Sequence, residues 1–162
     1  MGYTHYFTFK KIDKISVLEK KYQQAVKDCA TVIKKYNRDI KKLCSKHPDR
    51  LQGYTVHTKI GQYGGINFNG VGSEGCETFV LREHFTQNDG FNFCKTRQGA
   101  YDIVVVACLA ILKYRLGDAI EVDSDGDYQD WVDGVEFAAK TLKRKIKSPI
   151  KGLDRNSLTL CG

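Results

Sequence analysis

The chain has 162 residues, of which 41% are hydrophobic and 28% charged, with only two prolines. This size and balance predict a folded globular protein and exclude a disordered or fibrous one. We predict a single α+β domain over residues 1–147 and an irregular segment over residues 148–162. The longest apolar run, residues 103–112, is about half the roughly 20 residues that cross a bilayer. No membrane span is therefore expected.

The six cysteines are scattered, and Cys29 and Cys108 lie in apolar helical patterns where a thiol acts as a small hydrophobe. The N-terminal sequence MGYTHYFTF lacks the positively charged start and the apolar stretch of a signal peptide. Both observations predict a cytoplasmic protein without a disulfide framework.

The formal charge of +7 is concentrated in one segment. Residues 14–46 contain ten lysines and arginines against three acidic residues, so this segment carries the whole net excess. A basic surface attracts phosphate-bearing partners, including nucleic acid. The alternative is a solvated helix face that keeps the chain soluble.

In chain order, the first predicted element is a strand over residues 3–10, where side chains alternate with the period of a half-buried strand. A helix of about 30 residues follows, or roughly 45 Å, with Asp13 or Ser16 as its cap and its end before Pro48. Its apolar positions have heptad-like spacing: Ile15, Leu18, Tyr22, Ala25, Cys29, Val32, Tyr36 and Leu43. The heptad leaves open whether the helix pairs with a second copy.

Three short strands are predicted next, over residues 54–60, 66–69 and 76–83, and the first two form a hairpin. The apolar stretch at residues 98–116 predicts a buried helix that ends at Gly117. A strand over residues 119–123 and a last helix complete the domain, with Asp125 or Asp127 as N-cap. The helix places Trp131, Val135, Ala138 and Leu142 on one face.

This order predicts a ferredoxin-like βαββαβ antiparallel sheet. The long basic first helix and the buried second helix would cover one face of the sheet. The C-terminal helix would be an addition to that arrangement.

The segment from Phe91 to Gly99 leads into the buried helix, whose positive dipole end favours an anion. Lys95, Thr96 and Arg97 lie there and would suit a phosphate, although ordinary helix capping explains them equally well. Cys94 could be a nucleophile near this helix start. We interpret it as a buried thiol, because the Cys-x5-Arg spacing of cysteine phosphatases is absent.

His5 and His57 lie on predicted strands, and each is a candidate general base if Glu77 or Asp123 orients it. The alternative is a hydrogen-bonded strand histidine with a structural role. No metal or cofactor is predicted. Cys44-x-x-His47 has no second pair for zinc, and residues 123–127 lack the glycine and the distal glutamate of a calcium loop.

Hydrogen-bonding and aromatic residues are dense near the predicted strand ends and turns. Amide and carboxylate groups read base or ribose edges, and aromatic faces stack on bases. Together with the phosphate-binding candidates they predict a small nucleotide pocket, with these ligand-binding residues: Tyr3, Tyr6, Asn67, Asn69, Glu77, Lys95, Thr96, Arg97, Tyr101, Asp102, Ser124 and Trp131.

Several of these stretches resemble small bacteriophage-encoded accessory proteins. The similar segments are Met1-Gly-Tyr-Thr-His-Tyr6, Gly65-Ile-Asn-Phe-Asn-Gly70, Glu77-Thr-Phe79, Phe93-Cys-Lys-Thr96 with Tyr101-Asp102, and Val122-Asp-Ser-Asp-Gly126 with Trp131. The resemblance spans about residues 1–134. It implies a protein that acts in the infected cell, where it counters host defence, and it supplies no catalytic residues.

Three functional hypotheses follow from the sequence. The first is capture of a small phosphorylated nucleotide-type ligand that serves as an immune signal. The second is a hydrolase or phosphodiesterase that acts on such a nucleotide, with His5 or His57 as the general base. The third is a protein or nucleic-acid binder that works through the basic helix, where binding would weaken with salt.

Overall fold

The structure is a computed structural model that describes residues 2–46, 57–58, 65–88 and 90–152. In these residues the chain forms three α-helices: α1 (Ile15–Lys46), α2 (Asp102–Leu116) and α3 (Tyr128–Leu142). The strands are β1 (Thr4–Phe9), β2 (His57–Thr58), β3 (Ile66–Asn69), β4 (Phe79–Leu81), β5 (Gly90–Lys95) and β6 (Ile120–Ser124). The remainder of the predicted strand 54–60, and the irregular segment beyond residue 152, lie outside the described residues.

The main sheet has three strands in the order β5-β1-β6, and β1 is antiparallel to both neighbours. On β1, His5, Phe7 and Phe9 are buried on the helix side of the sheet, because alternate residues of a strand point to the same face. Tyr6 and Thr8 lie on the opposite face, where Tyr6 pairs with Phe93. Phe93 is 55% exposed, so this face of the sheet is open.

Strands β2, β3 and β4 form a separate antiparallel sheet in that order. The mixed α+β class and the antiparallel pairing agree with the sequence prediction. The ferredoxin-like βαββαβ order is wrong, because that order would place the strand hairpin in the same sheet as β1. Here β2, β3 and β4 pair among themselves, and β5, where no strand was predicted, takes the place beside β1 instead.

Helix α2 is the centre of the fold, and its residues from Val104 to Leu112 are buried without interruption. The all-round apolar sequence explains this position, since such a helix has no face for solvent. Helices α1 and α3 both pack against it. Each large apolar side chain that is fully buried contributes about 1.5–3 kcal/mol to folding, so this layer supplies much of the stability.

The apolar stripe of helix α1 packs into the core of this domain. The predicted positions Leu18, Tyr22, Ala25, Cys29, Val32 and Tyr36 are all buried. The heptad-like spacing is thus explained by packing within the domain, and pairing with a second copy stays a prediction. Of the described helices, none is both long enough and apolar enough to span a membrane.

Helices α2 and α3 approach closely at Gly134. A Cβ added there would lie 2.4 Å from a methyl carbon of Val106 and 2.9 Å from the carbonyl oxygen of Ile103. We therefore expect Gly134→Ala to destabilise the protein by about 1–3 kcal/mol through overpacking. Urea unfolding would measure this, and Asp133→Ala, at an exposed position on the same helix, is the comparison that should change stability by less than about 0.5 kcal/mol. A Gly134→Ala protein of unchanged stability would contradict the close packing.

An ion pair links α1 to the turn after β4. The Glu19 carboxylate lies 3.0 Å from Nδ1 of His84 and accepts the Phe85 amide. Burial alone would raise the pKa of Glu19, but hydrogen bonds from His84, Gln23 and the Phe85 amide lower it. The hydrogen bond to Glu19 raises the pKa of His84.

The signs of these two pKa shifts define a pH window. The lowered Glu19 pKa gives stability that is lost as the pH falls through the folded value, and the raised His84 pKa gives stability that is lost as the pH rises through its folded value. We expect His84→Gln to lower the melting temperature slightly between these two values. At high pH, where His84 is neutral, the two proteins should melt alike. Melting curves across pH would test this.

Candidate active site

Strand β1 carries a fully buried imidazole, that of His5. Its Nε2 lies 2.7 Å from Oδ1 of Asp102, and its Nδ1 lies 2.9 Å from Oγ of Ser124. A buried polar ring costs several kcal/mol unless it is hydrogen-bonded, and here both ring nitrogens have partners. The three side chains form a continuous Ser124–His5–Asp102 chain of hydrogen bonds.

The main chain holds each member of this chain in place. His5 lies on β1 opposite Cys94 of β5 and opposite Ser124 of β6. Asp102 is the first residue of α2, where a carboxylate is favoured by the helix dipole. Ser124 is the last residue of β6, two positions before Gly126. The site is therefore built from a central strand, an edge strand and a helix start.

Two further hydrogen-bond donors contact the two ends of this chain. The Thr96 hydroxyl donates to Oδ1 of Asp102 at 2.5 Å, and the Gly126 amide donates to Oγ of Ser124 at 2.9 Å. Because an ionised Asp102 can only accept, Nε2 of His5 carries the proton that is shared with it. Nδ1 is then free to accept the hydroxyl proton of Ser124, which is the arrangement that a general base requires.

Aromatic rings enclose the imidazole. The rings of Tyr3 and Trp131 each contact His5 edge to face, with ring centroids 5.2 Å apart in both cases. Burial raises the pKa of Tyr3 to about 12, with help from the nearby Asp102 and Asp130 carboxylates. The Tyr3 hydroxyl therefore stays protonated at neutral pH.

The structure thus brings together six residues from the sequence analysis: Tyr3, His5, Thr96, Asp102, Ser124 and Trp131. The predicted orienting acid of His5 was Glu77 or Asp123, but the acid in contact is Asp102. One sequence signal could have indicated this group. His5 shares the strand parity of Phe7 and Phe9, so its side chain had to face the core, where an imidazole needs polar partners.

Other predicted ligand residues have bonds within the fold. Asn69 closes a turn, since its side chain donates to the Cys76 carbonyl and accepts the amides of Gly70 and Cys76. Glu77 accepts the Lys95 amide at 2.7 Å and donates its own amide to the Lys95 carbonyl. The Glu77 contacts join the residues before β4 to β5 and so tie the two sheets together.

Tyr101 and Trp131 are fully buried, so neither presents an open ring face for stacking. The Tyr101 hydroxyl donates to the Glu77 carbonyl at 2.8 Å. Tyr6 lies on the open face of the main sheet and donates to Asp125 at 3.2 Å. Asn67 lines a cavity of 620 Å³ beside β3 and β4, away from this group.

The predicted phosphate segment forms the end of β5 and the turn that precedes α2. Arg97 and Gln98 adopt positive φ angles there. An open cavity of 360 Å³ is lined by Ser73, Glu74, Thr96, Arg97, Gln98 and Gly99. The Arg97 guanidinium is exposed and donates to the Gly75 carbonyl at 3.1 Å.

Neither the cysteine nor the remaining histidine candidates join the group. Cys94 is fully buried, and burial raises the pKa of its thiol to about 12, so it is a neutral thiol and not a nucleophile at neutral pH. The side chain of His57 and the Cys44-x-x-His47 pair lie outside what the structure describes. Among the described residues, no cluster of three His, Cys, Asp or Glu side chains could hold a metal ion.

The fold and this site define an α+β protein with two antiparallel sheets and one linked serine, histidine and aspartate group. Comparison of the chain with protein-family models, with curated proteins and with solved structures finds no match.

Proposed function

We propose that the protein is a serine hydrolase that cleaves a small acyl compound such as an ester. The observation that carries this proposal is the hydrogen-bond chain in which His5 contacts Ser124 at 2.9 Å and Asp102 at 2.7 Å. A hydroxyl, a base and an acid that orients the base are the three parts of nucleophilic catalysis by serine.

The first step transfers the Ser124 hydroxyl proton to Nδ1 of His5 while Oγ attacks the substrate carbonyl carbon. The carbonyl π electron pair moves onto its oxygen, which gives a tetrahedral intermediate. Asp102 stabilises the imidazolium that forms, because its carboxylate is 2.7 Å from Nε2. In classical triads it is Nε2 that faces the serine and Nδ1 that faces the acid, so the ring is used here in the opposite sense.

In the second step the oxyanion's electron pair re-forms the carbonyl, the carbon–oxygen bond to the leaving group breaks, and Nδ1 gives its proton to the leaving-group oxygen. Water then repeats the cycle on the Ser124 ester, with His5 as its base. Throughout, the Gly126 amide donates to Oγ at 2.9 Å. This bond supports Oγ when it departs with its electron pair as the acyl group is released.

The local charge favours an uncharged or cationic substrate. Four aspartates lie at or near the Ser124 turn, and all four are exposed: Asp123, Asp125, Asp127 and Asp130. Like charges repel, and the repulsion is strong at short range. A phosphate at Ser124 would meet this repulsion, so a carbonyl centre suits the site better than a phosphorus centre.

Covalent labelling tests the proposal directly. The purified protein is incubated with an alkyl fluorophosphonate probe, digested and analysed by mass spectrometry. We expect a single adduct on Ser124, and none when His5 is replaced by Gln. Thermal unfolding of His5→Gln would verify that it is folded at the assay temperature. If the wild-type protein forms no adduct and hydrolyses no p-nitrophenyl ester, the hydrogen-bond chain is purely structural and the proposal is wrong.

A second candidate function is capture of a small phosphorylated nucleotide-type ligand at the 360 Å³ cavity, as a phage protein would need in order to remove an immune signal. The observation that favours it is the exposed guanidinium of Arg97 at the cavity wall, since guanidinium groups bind phosphate well. Thr96, which donates to Asp102, also lines this cavity, whereas Ser124 does not.

Chromatography distinguishes capture from hydrolysis. The protein is mixed with linear, cyclic and ADP-ribose-type nucleotides, and the free fraction is measured before and after heat denaturation. Capture predicts that one nucleotide disappears and returns intact on heating, and that Arg97→Ala prevents this. Arg38→Ala, an exposed site on α1, is the matched control. Retained capture by Arg97→Ala would exclude this cavity.

A further inference from the structure

The Tyr3 hydroxyl is a buried donor beside Ser124. Its oxygen is inaccessible to solvent and meets hydrogen-bond geometry with no described residue. Burial raises the pKa of Tyr3, and interactions with Ser124 and Gln98, which lie close by, offset part of that rise. Buried polar groups in native proteins are nearly always hydrogen-bonded, so an exception needs an explanation. Trp131, which also contacts His5, has a buried indole N–H that is unpaired within the described residues.

The position of Tyr3 is fixed by its neighbours. A Cβ built on Gly126 would lie 2.1 Å from the Tyr3 hydroxyl oxygen, so only glycine admits the hydroxyl here. Gly126 is also the residue whose amide donates to Oγ of Ser124. The same turn therefore places an amide donor and a phenol donor next to the proposed nucleophile.

A serine hydrolase needs a donor for the oxygen that becomes negative in the tetrahedral intermediate. The nearby amides do not meet this need, because Gly126 donates to Ser124 and Asp125 donates to the Thr4 carbonyl. The Ser124 amide is bound by the Asp123 carboxylate at 2.8 Å. Of the described donors in this group, the Tyr3 hydroxyl and the Trp131 indole N–H have no acceptor, and the one that lies beside Ser124 is Tyr3.

We propose that Tyr3 is a catalytic residue whose hydroxyl donates to the substrate oxyanion. This inference rests on the proposed hydrolase function and names the residue that the Ser124–His5–Asp102 chain lacks. When Oγ of Ser124 attacks, the carbonyl π electron pair moves onto the carbonyl oxygen. The Tyr3 hydroxyl donates a hydrogen bond to that oxygen and keeps its proton. The substrate class is an acyl compound with a carbonyl oxygen.

The test compares wild type with Tyr3→Phe in p-nitrophenyl acetate hydrolysis and in binding of phenylboronic acid, which forms a tetrahedral adduct with serine. For Tyr3→Phe we expect kcat to fall about 10²-fold. The KM should change less than about twofold, because ground-state binding is kept. The affinity for the boronate should fall with kcat. Tyr114→Phe, an exposed tyrosine on α2, removes a hydroxyl elsewhere and should behave like wild type.

Gly126→Ala is the second variant, because its methyl group displaces the Tyr3 hydroxyl without removing the Gly126 amide. It should lose kcat in the same way, with fluorophosphonate labelling of Ser124 retained but slower. If Ser124→Ala is inactive while Tyr3→Phe keeps kcat and boronate affinity within twofold of wild type, the Tyr3 role is wrong and the hydrolase stands. If wild type neither hydrolyses the ester nor labels, both proposals fail together.

Discussion

Ser124→Ala should reduce ester hydrolysis to the uncatalysed background, a loss on the order of 10⁴-fold or more in kcat. The substitution removes the proposed nucleophile and leaves His5 and Asp102 in contact. Ser124 is partly exposed at the end of β6, so the lost hydroxyl should cost at most about 1.5 kcal/mol of stability. Steady-state kinetics with p-nitrophenyl acetate, alongside thermal unfolding, would measure both effects.

Ser16→Ala is the matched control for this variant. Ser16 is exposed on the first turn of α1 and takes no part in the site. Its rate should equal that of wild type. A Ser124→Ala protein that retains wild-type kcat would show that any hydrolysis arises elsewhere on the chain, and the role of Ser124 as nucleophile would have to be abandoned.

Asp102→Asn is expected to reduce kcat on the order of 10⁴-fold, as loss of the charged acid does in serine proteases. An amide at this position presents its NH₂ group as well as its oxygen, so it can turn the imidazole to the tautomer in which Nδ1 is protonated. That tautomer cannot accept the Ser124 proton. The amide also fails to stabilise the imidazolium.

The Asp102→Asn substitution can also change the stability and the net charge of the protein, and each effect needs its own control. Asp102 also accepts a hydrogen bond from the Thr96 hydroxyl, so the substitution can lower stability. The melting temperature of Asp102→Asn must therefore be measured together with its kcat. Asp133→Asn makes the same change of charge on the exposed face of α3 and should leave kcat unaltered. If Asp102→Asn and Asp133→Asn have equal rates, Asp102 is a structural helix-start residue and not the orienting acid.

Local patterns in the sequence predicted most of the secondary structure. Each of three patterns fits one type of element, and the structure has that element at each place. These patterns are the alternation at β1, the apolar stripe of α1 and the uninterrupted apolar run of α2. The last helix begins as predicted from its cap, where Asp127 accepts the amides of Gln129 and Asp130. Gly117 ends α2 with a φ of 56°, which favours glycine.

The pairing of the strands could not be predicted in the same way. No strand was predicted at β5, because residues 91–99 were considered only as the approach to the buried helix. In the structure its large apolar residues, Phe91 and Phe93, point to solvent and are 63% and 55% exposed. A strand whose aromatic side faces outward has the opposite of the expected pattern. Without β5, the predicted strands at residues 54–60, 66–69 and 76–83 were the ones left to complete the sheet, which led to the ferredoxin-like order.

The sequence predicted the individual residues of the candidate site but not the contacts between them. Tyr3, His5, Asp102 and Ser124 were each selected for their chemistry, while the contact between His5 and Asp102 depends on how α2 begins relative to β1. Ninety-seven positions separate these two residues. Local sequence carries no signal for a contact of that range, so Glu77 and Asp123 were equally reasonable partners.

The central position of β1 determines when the site can exist during synthesis. Both neighbours of β1 come late in the chain, and His5 meets Ser124 across 119 positions. A nascent chain that has left the ribosome only as far as α2 has β1 without β6, and so has the proposed base without the proposed nucleophile. Non-local antiparallel pairing is also slow to form. The proposed ester hydrolysis should therefore appear late in refolding, together with the β1–β6 pairing, and report on completion of the fold.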